Sequence, residues 1–256
     1  MSILDLAGKR GLVIGIANAD SIAHGCAEAF RQAGAELAIT YLNAKAEPHV
    51  RPLAEALGAP IIVPCDVREP GQLEAVFASI EGEWGQLDFL LHSIAFARRE
   101  DLHVPLADCS AEGFAMAMDV SCHSFIRMAK LARPLIKQGG ALLTVSFFGA
   151  ERVVENYNLM GPVKAALESS VRYLAADLAD ERIHVHALST GPVKTRAASG
   201  IGRFDELLNK VQERTPANKL VDVAEIGRIA AFLASDAGAA MTGSVTYADA
   251  GFHVMA

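Results

Sequence analysis

Seven short, β-prone apolar runs alternate with longer stretches whose apolar residues recur every three or four positions, and no other feature narrows the possible folds as far. The expected strands are 11–16, 36–41, 60–64, 87–93, 140–147, 183–189 and 244–248, and the expected helices are 21–33, 72–82, 111–136, 160–178, 204–214 and 223–234. Strands linked through helices run parallel and are covered on both faces, which accounts for segments such as 11–16 and 88–93 that are apolar almost throughout. The pattern predicts an α/β chain: a single doubly wound domain over 1–256, with a mostly seven-stranded parallel sheet and helices on both faces. In such sheets ligands sit beyond the carboxyl ends of the strands, so the strand ends are where chemistry is sought.

Composition removes several function classes. With 52% hydrophobic and 21% charged residues, the chain is too apolar for disorder or coiled coil and has surface to spare for subunit contacts. Its 23 Lys and Arg against 30 Asp and Glu leave a net charge of -7, the wrong sign for binding nucleic acid. Four scattered cysteines, Cys26, Cys65, Cys109 and Cys122, form no CxxC pair, so neither a metal site nor a disulfide framework is expected, and a reducing cytoplasm fits best. No basic-then-apolar leader opens the chain and no apolar run approaches the roughly 20 residues of a bilayer span, so no membrane association is expected.

After the first strand, residues 15–25 form a small-residue turn in which Ser21 is an expected N-cap, and a helix start of this kind offers N–H groups and a positive dipole end to a pyrophosphate. It is not GxGxxG, and a tight turn without a ligand would look the same. The second strand ends in Tyr41-Leu42-Asn43, with no acid for ribose hydroxyls and no Arg for a 2′-phosphate; Lys45 is the nearby cation, so an unphosphorylated dinucleotide is favoured. Asp66, in Cys65-Asp66-Val67, could accept from an adenine amino group or cap a turn. His92-Ser93-Ile94-Ala95-Phe96-Ala97 is small and apolar enough to receive a flat ring or to finish a core edge.

The strongest signal follows the fifth strand. Tyr157 and Lys164 lie seven residues apart, almost two helical turns, which places them on one face, where an ammonium favours the phenolate and makes the tyrosine a usable proton donor. After the sixth strand, Ser189-Thr190-Gly191-Pro192-Val193-Lys194-Thr195 offers backbone groups to a carboxamide and a Thr195 hydroxyl to phosphate, and about 194–216 is expected to form a lid.

Together these pieces resemble the Rossmann-like short-chain dehydrogenase/reductase superfamily and, within it, the bacterial enoyl-acyl-carrier-protein reductases of fatty-acid synthesis. The resemblance covers nearly the whole chain and rests on Gly15 with Ser21-Ile22-Ala23, Cys65-Asp66-Val67, His92-Ser93-Ile94, Gly149-Ala150-Glu151-Arg152, Asn156 to Gly161 with Lys164, Gly191-Pro192, Ala197 to Ile201 and Ala248 to Phe252. It implies hydride transfer from NADH, favoured over NADPH, to the β-carbon of a trans-2-enoyl thioester, with Tyr157 as donor to the developing enolate and Lys164 on the nicotinamide ribose. By the same resemblance Gly15, Ser21, Ile22, Leu42, Asp66, Val67, Ile94, Lys164, Val193, Lys194, Thr195, Arg196 and Ala197 contact the cofactor, while Ala97, Phe147, Tyr157, Met160 and Phe204 contact substrate. An acyl carrier protein as partner and a homotetramer are implied as well.

The chain departs from the family pattern in three respects. Phe147 stands where many members carry a second tyrosine; Pro162 separates Tyr157 from Lys164, so the helix should begin near Met160 or Gly161; and Arg196 replaces an apolar residue while Asp205 and Glu206 replace a basic lid surface, which should repel an acidic carrier. Two other functions fit the same residues. A carbonyl or alcohol oxidoreductase would use a hydroxyl about thirteen residues before the tyrosine, near Thr144 and Ser146, and a nucleotide-binding paralogue would have lost catalysis.

Overall fold

The computed structural model describes residues 4–195, 202–216 and 218–255. Its strands are β1 (Arg10–Ile14), β2 (Glu36–Tyr41), β3 (Ile61–Pro64), β4 (Phe89–His92), β5 (Gly140–Phe147), β6 (Ile183–Thr190) and β7 (Ser244–Ala248). All pair in parallel in the order β3-β2-β1-β4-β5-β6-β7, so the chain reverses its winding between β1 and β4 and opens a crevice there.

Helices cover both faces: α1 (Ile22–Gln32), α2 (Glu47–Ala56), α3 (Gln72–Trp84), α4 (Arg99–Leu102), α5 (Ala111–Met118), α6 (Ser124–Ala132), α7 (Met160–Asp177), α8 (Phe204–Arg214), α9 (Val223–Ala234) and α10 (Phe252–Met255). Alternate β1 residues feed opposite cores, Leu12 and Ile14 into one with Phe125 and Leu167, Val13 into the other with Phe30 and Ile226. On the second face α1 and α9 touch backbone to backbone: a Cβ on Gly25 would lie 2.5 Å from the Val223 carbonyl oxygen, and one on Gly227 would lie 2.3 Å from that of Gly25.

Several sequence expectations shift. β1 stops at Ile14 and β4 covers only Phe89–His92, because Gly15 and Ser93 already belong to the turns that shape the crevice. α2 is a helix where none was expected, its Pro48 sitting in the first turn, where a missing N–H costs nothing, and its Pro52 inside. The stretch 111–136 is continuous but is not one regular α-helix. A π-helical turn, Asp119–His123, separates α5 from α6, and a short 3-10 segment, Arg133–Leu135, ends the run at Pro134. α7 does begin at Met160, which puts Pro162 in its first turn.

Candidate active site

The crevice holds a cavity of about 470 Å³ that runs from the turn after β1 to the start of α7. Its floor exists because Gly15 has φ +118° and no side chain: a Cβ there would sit 2.1 Å from the Ser93 carbonyl oxygen, so the ends of β1 and β4 could not approach as they do. Ser21 occupies the N-cap position of α1 with extended backbone, but its Oγ donates to the Asn18 carbonyl at 2.7 Å instead of capping the helix. The expected N-cap position therefore holds while its side-chain hydrogen bond is not made, and the positive end of α1 meets the cavity without a side-chain acceptor of its own.

Beyond the cavity, the end of β2 is turned on itself: Asn43 Oδ1 accepts from the backbone N–H groups of Lys45 and Ala46 at 3.0 and 3.2 Å. Asp66, after β3, accepts from the Arg68 backbone N and Nε at 3.0 Å each and from its Nη2 at 2.6 Å. Those bonds hold its carboxyl below the usual carboxylate range. The same guanidinium lies 5.5 Å from the ring of Phe96. The loop after β4 is clipped from the other side by Ser121 of the π-helical turn, whose Oγ accepts from Phe96 N at 2.9 Å and donates to its carbonyl at 3.2 Å.

At the opposite side Tyr157 lies in the turn before α7, not on the helix, between Asn156 and Asn158, both with left-handed backbone (φ 63° and 36°). The two-turn helical spacing is thus not what joins it to Lys164; the turn brings both to one cavity wall. Tyr157 packs edge-on against Phe147 at 4.8 Å. Burial, and next the Glu168 carboxylate, push its phenol up, the reverse of the shift expected from Lys164. The Lys164 ammonium is directed to the Val145 carbonyl at 2.6 Å, and burial lowers it to about 8.

Of the residues singled out above, Gly15, Ser21, Ile22, Ile94, Ala97, Phe147, Tyr157, Met160, Lys164, Val193, Thr195 and Phe204 line the cavity. Leu42, Asp66, Val67 and Lys194 stand outside that wall. Leu42 is about half exposed beyond β2, Asp66 is occupied by Arg68, Val67 is buried with its carbonyl accepting from Arg127, and Lys194 pairs with Asp205 at 2.9 Å. Arg196 and Ala197 lie outside the described residues, as do 198–201. Each of these acids of α8 sits beside a cation, Glu206 at 2.7 Å from Arg203 and Asp205 at 2.9 Å from Lys194, with all four side chains exposed.

Sequence reasoning missed Ser121 and Glu168. Ser121 is delivered by a helix irregularity that periodicity hides, while Glu168, four residues after Lys164 on α7, offered a visible spacing signal. Of the two hydroxyls a carbonyl reductase could use, Thr144 is buried beneath the site against His92 Nδ1 at 2.8 Å, while Ser146 lines the cavity and donates to Glu168. The other ring nitrogen of His92 meets Ser124 Oγ at 2.8 Å, and that hydroxyl donates to the Val120 carbonyl, so Nε2 carries the proton and Nδ1 accepts from Thr144. Among the described residues no cluster of His, Cys, Asp and Glu could hold a metal ion, and no helix is long and apolar enough to cross a membrane.

A family model described as enoyl-(acyl carrier protein) reductase matches residues 15–253. The chain is 43% identical over 256 residues to the NADH enoyl-acyl-carrier-protein reductase FabI of Nostoc sp., covering 99% of both chains. Among solved structures it resembles the enoyl-acyl-carrier-protein reductase of Anaplasma phagocytophilum in complex with NAD, with TM-score 0.94 and 42% identity over 99% of this chain and 97% of that one. It also resembles the Bacillus cereus enzyme bound to NADP+ and an indole naphthyridinone, with TM-score 0.96 and 40% identity over 100% of both chains.

Proposed function

The chain belongs to the enoyl-acyl-carrier-protein reductase family, and from that premise we propose how its residues reduce the 2,3 double bond of a trans-2-enoyl thioester with NADH. The observation that carries the assignment of roles is the single cavity that joins the uncapped start of α1 to Tyr157 and Lys164. NADH fits it: the Gly15 turn, where a Cβ would strike the Ser93 carbonyl, lets the ends of β1 and β4 form the cavity floor, the positive end of α1 suits a pyrophosphate, and Leu42-Asn43 after β2 contains neither acid nor arginine, the Arg51 guanidinium lying over the Tyr41 ring instead. When bound, NADH supplies the hydride.

The enolate left by hydride transfer takes up a proton at the α-carbon to complete the reduction, and the chain's own groups stabilise that enolate. The Tyr157 phenol, held neutral, donates a hydrogen bond to the thioester oxygen as enolate charge develops there, and the apolar wall of Phe147 and Met160 keeps water away so that the bond acts in a low dielectric. Lys164 holds the nicotinamide ribose. Ala97 and Phe204 bound the acyl side of the cavity, and the expected lid reaches it, among its described residues, through Thr195 and Phe204. An acyl carrier protein presents the substrate, and its approach is supported by the paired charges at the start of α8. A homotetramer is supported by the apolar composition, and a cytoplasmic setting by four free cysteines.

The test is NADH oxidation followed at 340 nm with crotonyl thioesters of coenzyme A and of acyl carrier protein. Turnover with NADH exceeding that with NADPH is expected, and cofactor binding without turnover on either thioester would overturn the proposal.

A further inference from the structure

Lys164 and Glu168 are both buried on α7, one turn apart, and they reach adjacent residues of β5, Val145 and Ser146 respectively. Lys164 Nζ donates to the Val145 carbonyl at 2.6 Å, and Ser146 Oγ donates to Glu168 Oε1 at 2.5 Å. The acid and the base are therefore tied through one peptide, Val145-Ser146, on the wall of the cavity. Burial disfavours an ammonium, so something must hold the charge on Lys164. The groups facing it are few. Cys122 of the π-helical turn has its thiol pushed up by burial, His92 beneath is held neutral with its pKa lowered to about 3, and the Tyr157 phenol is pushed up as well. Glu168 is the carboxyl that acts on Lys164; burial pushes it up, while the Ser146 hydroxyl, Arg172 and Lys164 itself favour its charged form. Glu168 in turn faces Ser146 on β5, Glu151 after β5, Tyr247 on β7 and Arg172 on its own helix.

We propose that Glu168 is the positioning residue for Lys164: through Ser146 it fixes the strand segment whose carbonyl receives the lysine, and its charge keeps the ammonium protonated at working pH. This rests on the role given to Lys164 above, but it is a property of the protein without cofactor and is testable there.

The closing experiment measures the pH dependence of Lys164 acylation by a small reagent in the unliganded protein, read by peptide mass, beside the alkaline limb of the pH–rate profile for crotonyl thioester reduction. Glu168→Gln keeps an acceptor for Ser146 but removes the charge. Its labelling midpoint should fall by about half a pH unit or more, which is about threefold more reactive amine near pH 7, and the alkaline limb should move the same way. Glu168→Asp, retaining the charge, should restore the parent midpoint. Ser146→Ala should lower turnover while leaving the midpoint in place. An unmoved midpoint in Glu168→Gln overturns the proposal, as does a Glu168→Asp midpoint that falls equally far. A parent protein without enoyl reduction but with the expected labelling shift would sink the functional assignment and leave this one standing.

Discussion

Two carboxylates mark the two sides of the crevice, and their environments push them in opposite directions. Asp66, on the rim after β3, takes three hydrogen bonds from the half-exposed Arg68 and is held below its usual range; Glu168, buried behind β5, is pushed up by burial and receives one hydroxyl. Both carboxyls are themselves buried, so the contrast lies in their partners: half-exposed Arg68 makes Asp66 an anchor on the wetter side, and the enclosed Ser146 and Lys164 make Glu168 a tuning charge on the drier one. The difference teaches that the crevice is divided by dielectric: rim contacts fix backbone, and buried contacts set the charge state of the groups that do chemistry.

That division can be broken most directly at Tyr157. Tyr157→Phe should lower turnover by about 10²-fold or more with NADH affinity nearly unchanged, measured by steady-state kinetics and fluorescence titration. Retained turnover would remove the dry side's claim to the chemistry. Gly15→Ala attacks the floor shared by both sides and should destabilise the fold by about 2 kcal/mol or more, read from denaturant midpoints, because it combines a left-handed backbone with a carbonyl clash.

Acid should act first on the buried groups. His92 and His186 have pKa values lowered to about 3 and about 4 by burial, so each is neutral in the folded chain. Below about pH 6.5 the unfolded chain binds protons that the folded one refuses, and unfolding free energy should fall by about 1.4 kcal/mol per pH unit for each histidine. A flat profile between pH 6 and 5 would contradict their burial. The smallest effect belongs to the rim: Arg68→Ala should raise the NADH KM by no more than about fivefold and leave turnover alone. Because the Asp66 carboxyl is lowered, its contribution to stability is complete above about pH 4 and disappears as pH falls through the folded value. The Tm difference between Arg68→Ala and parent should therefore shrink on acidification below about pH 4. If Arg68→Ala instead cost as much turnover as Tyr157→Phe, the two sides would not be distinct.

The sheet and most helices were legible because burial of both faces writes continuous apolar strands between amphipathic helices, and α7, α8 and α9 begin where their first-turn residues indicate. α2 was hidden by Pro48 and Pro52, and the interruption after Met118 by a periodicity that runs through it. Tyr157 and Lys164 could be paired from spacing, although a turn and not a shared helix face unites them. The charge relations were not legible: whether Asp66 keeps a lone pair for a ligand, or which anion answers Lys164, depends on neighbours such as Arg68 and Ser146 that come together only through the sheet.

The π-helical turn at Asp119–His123 has a consequence for how the chain tolerates change in length. A regular helix advances 100° per residue, so an added residue rotates everything that follows by that angle. Here the widened turn absorbs that rotation, letting Ser121 grip Phe96 while Phe125, Met128 and Ala132 still meet the core. Deleting one residue between 119 and 123 would straighten the helix and make it locally more regular, yet it would swing either the serine or the apolar stripe out of phase. The irregular form is the one that keeps two incompatible phases in a single continuous rod.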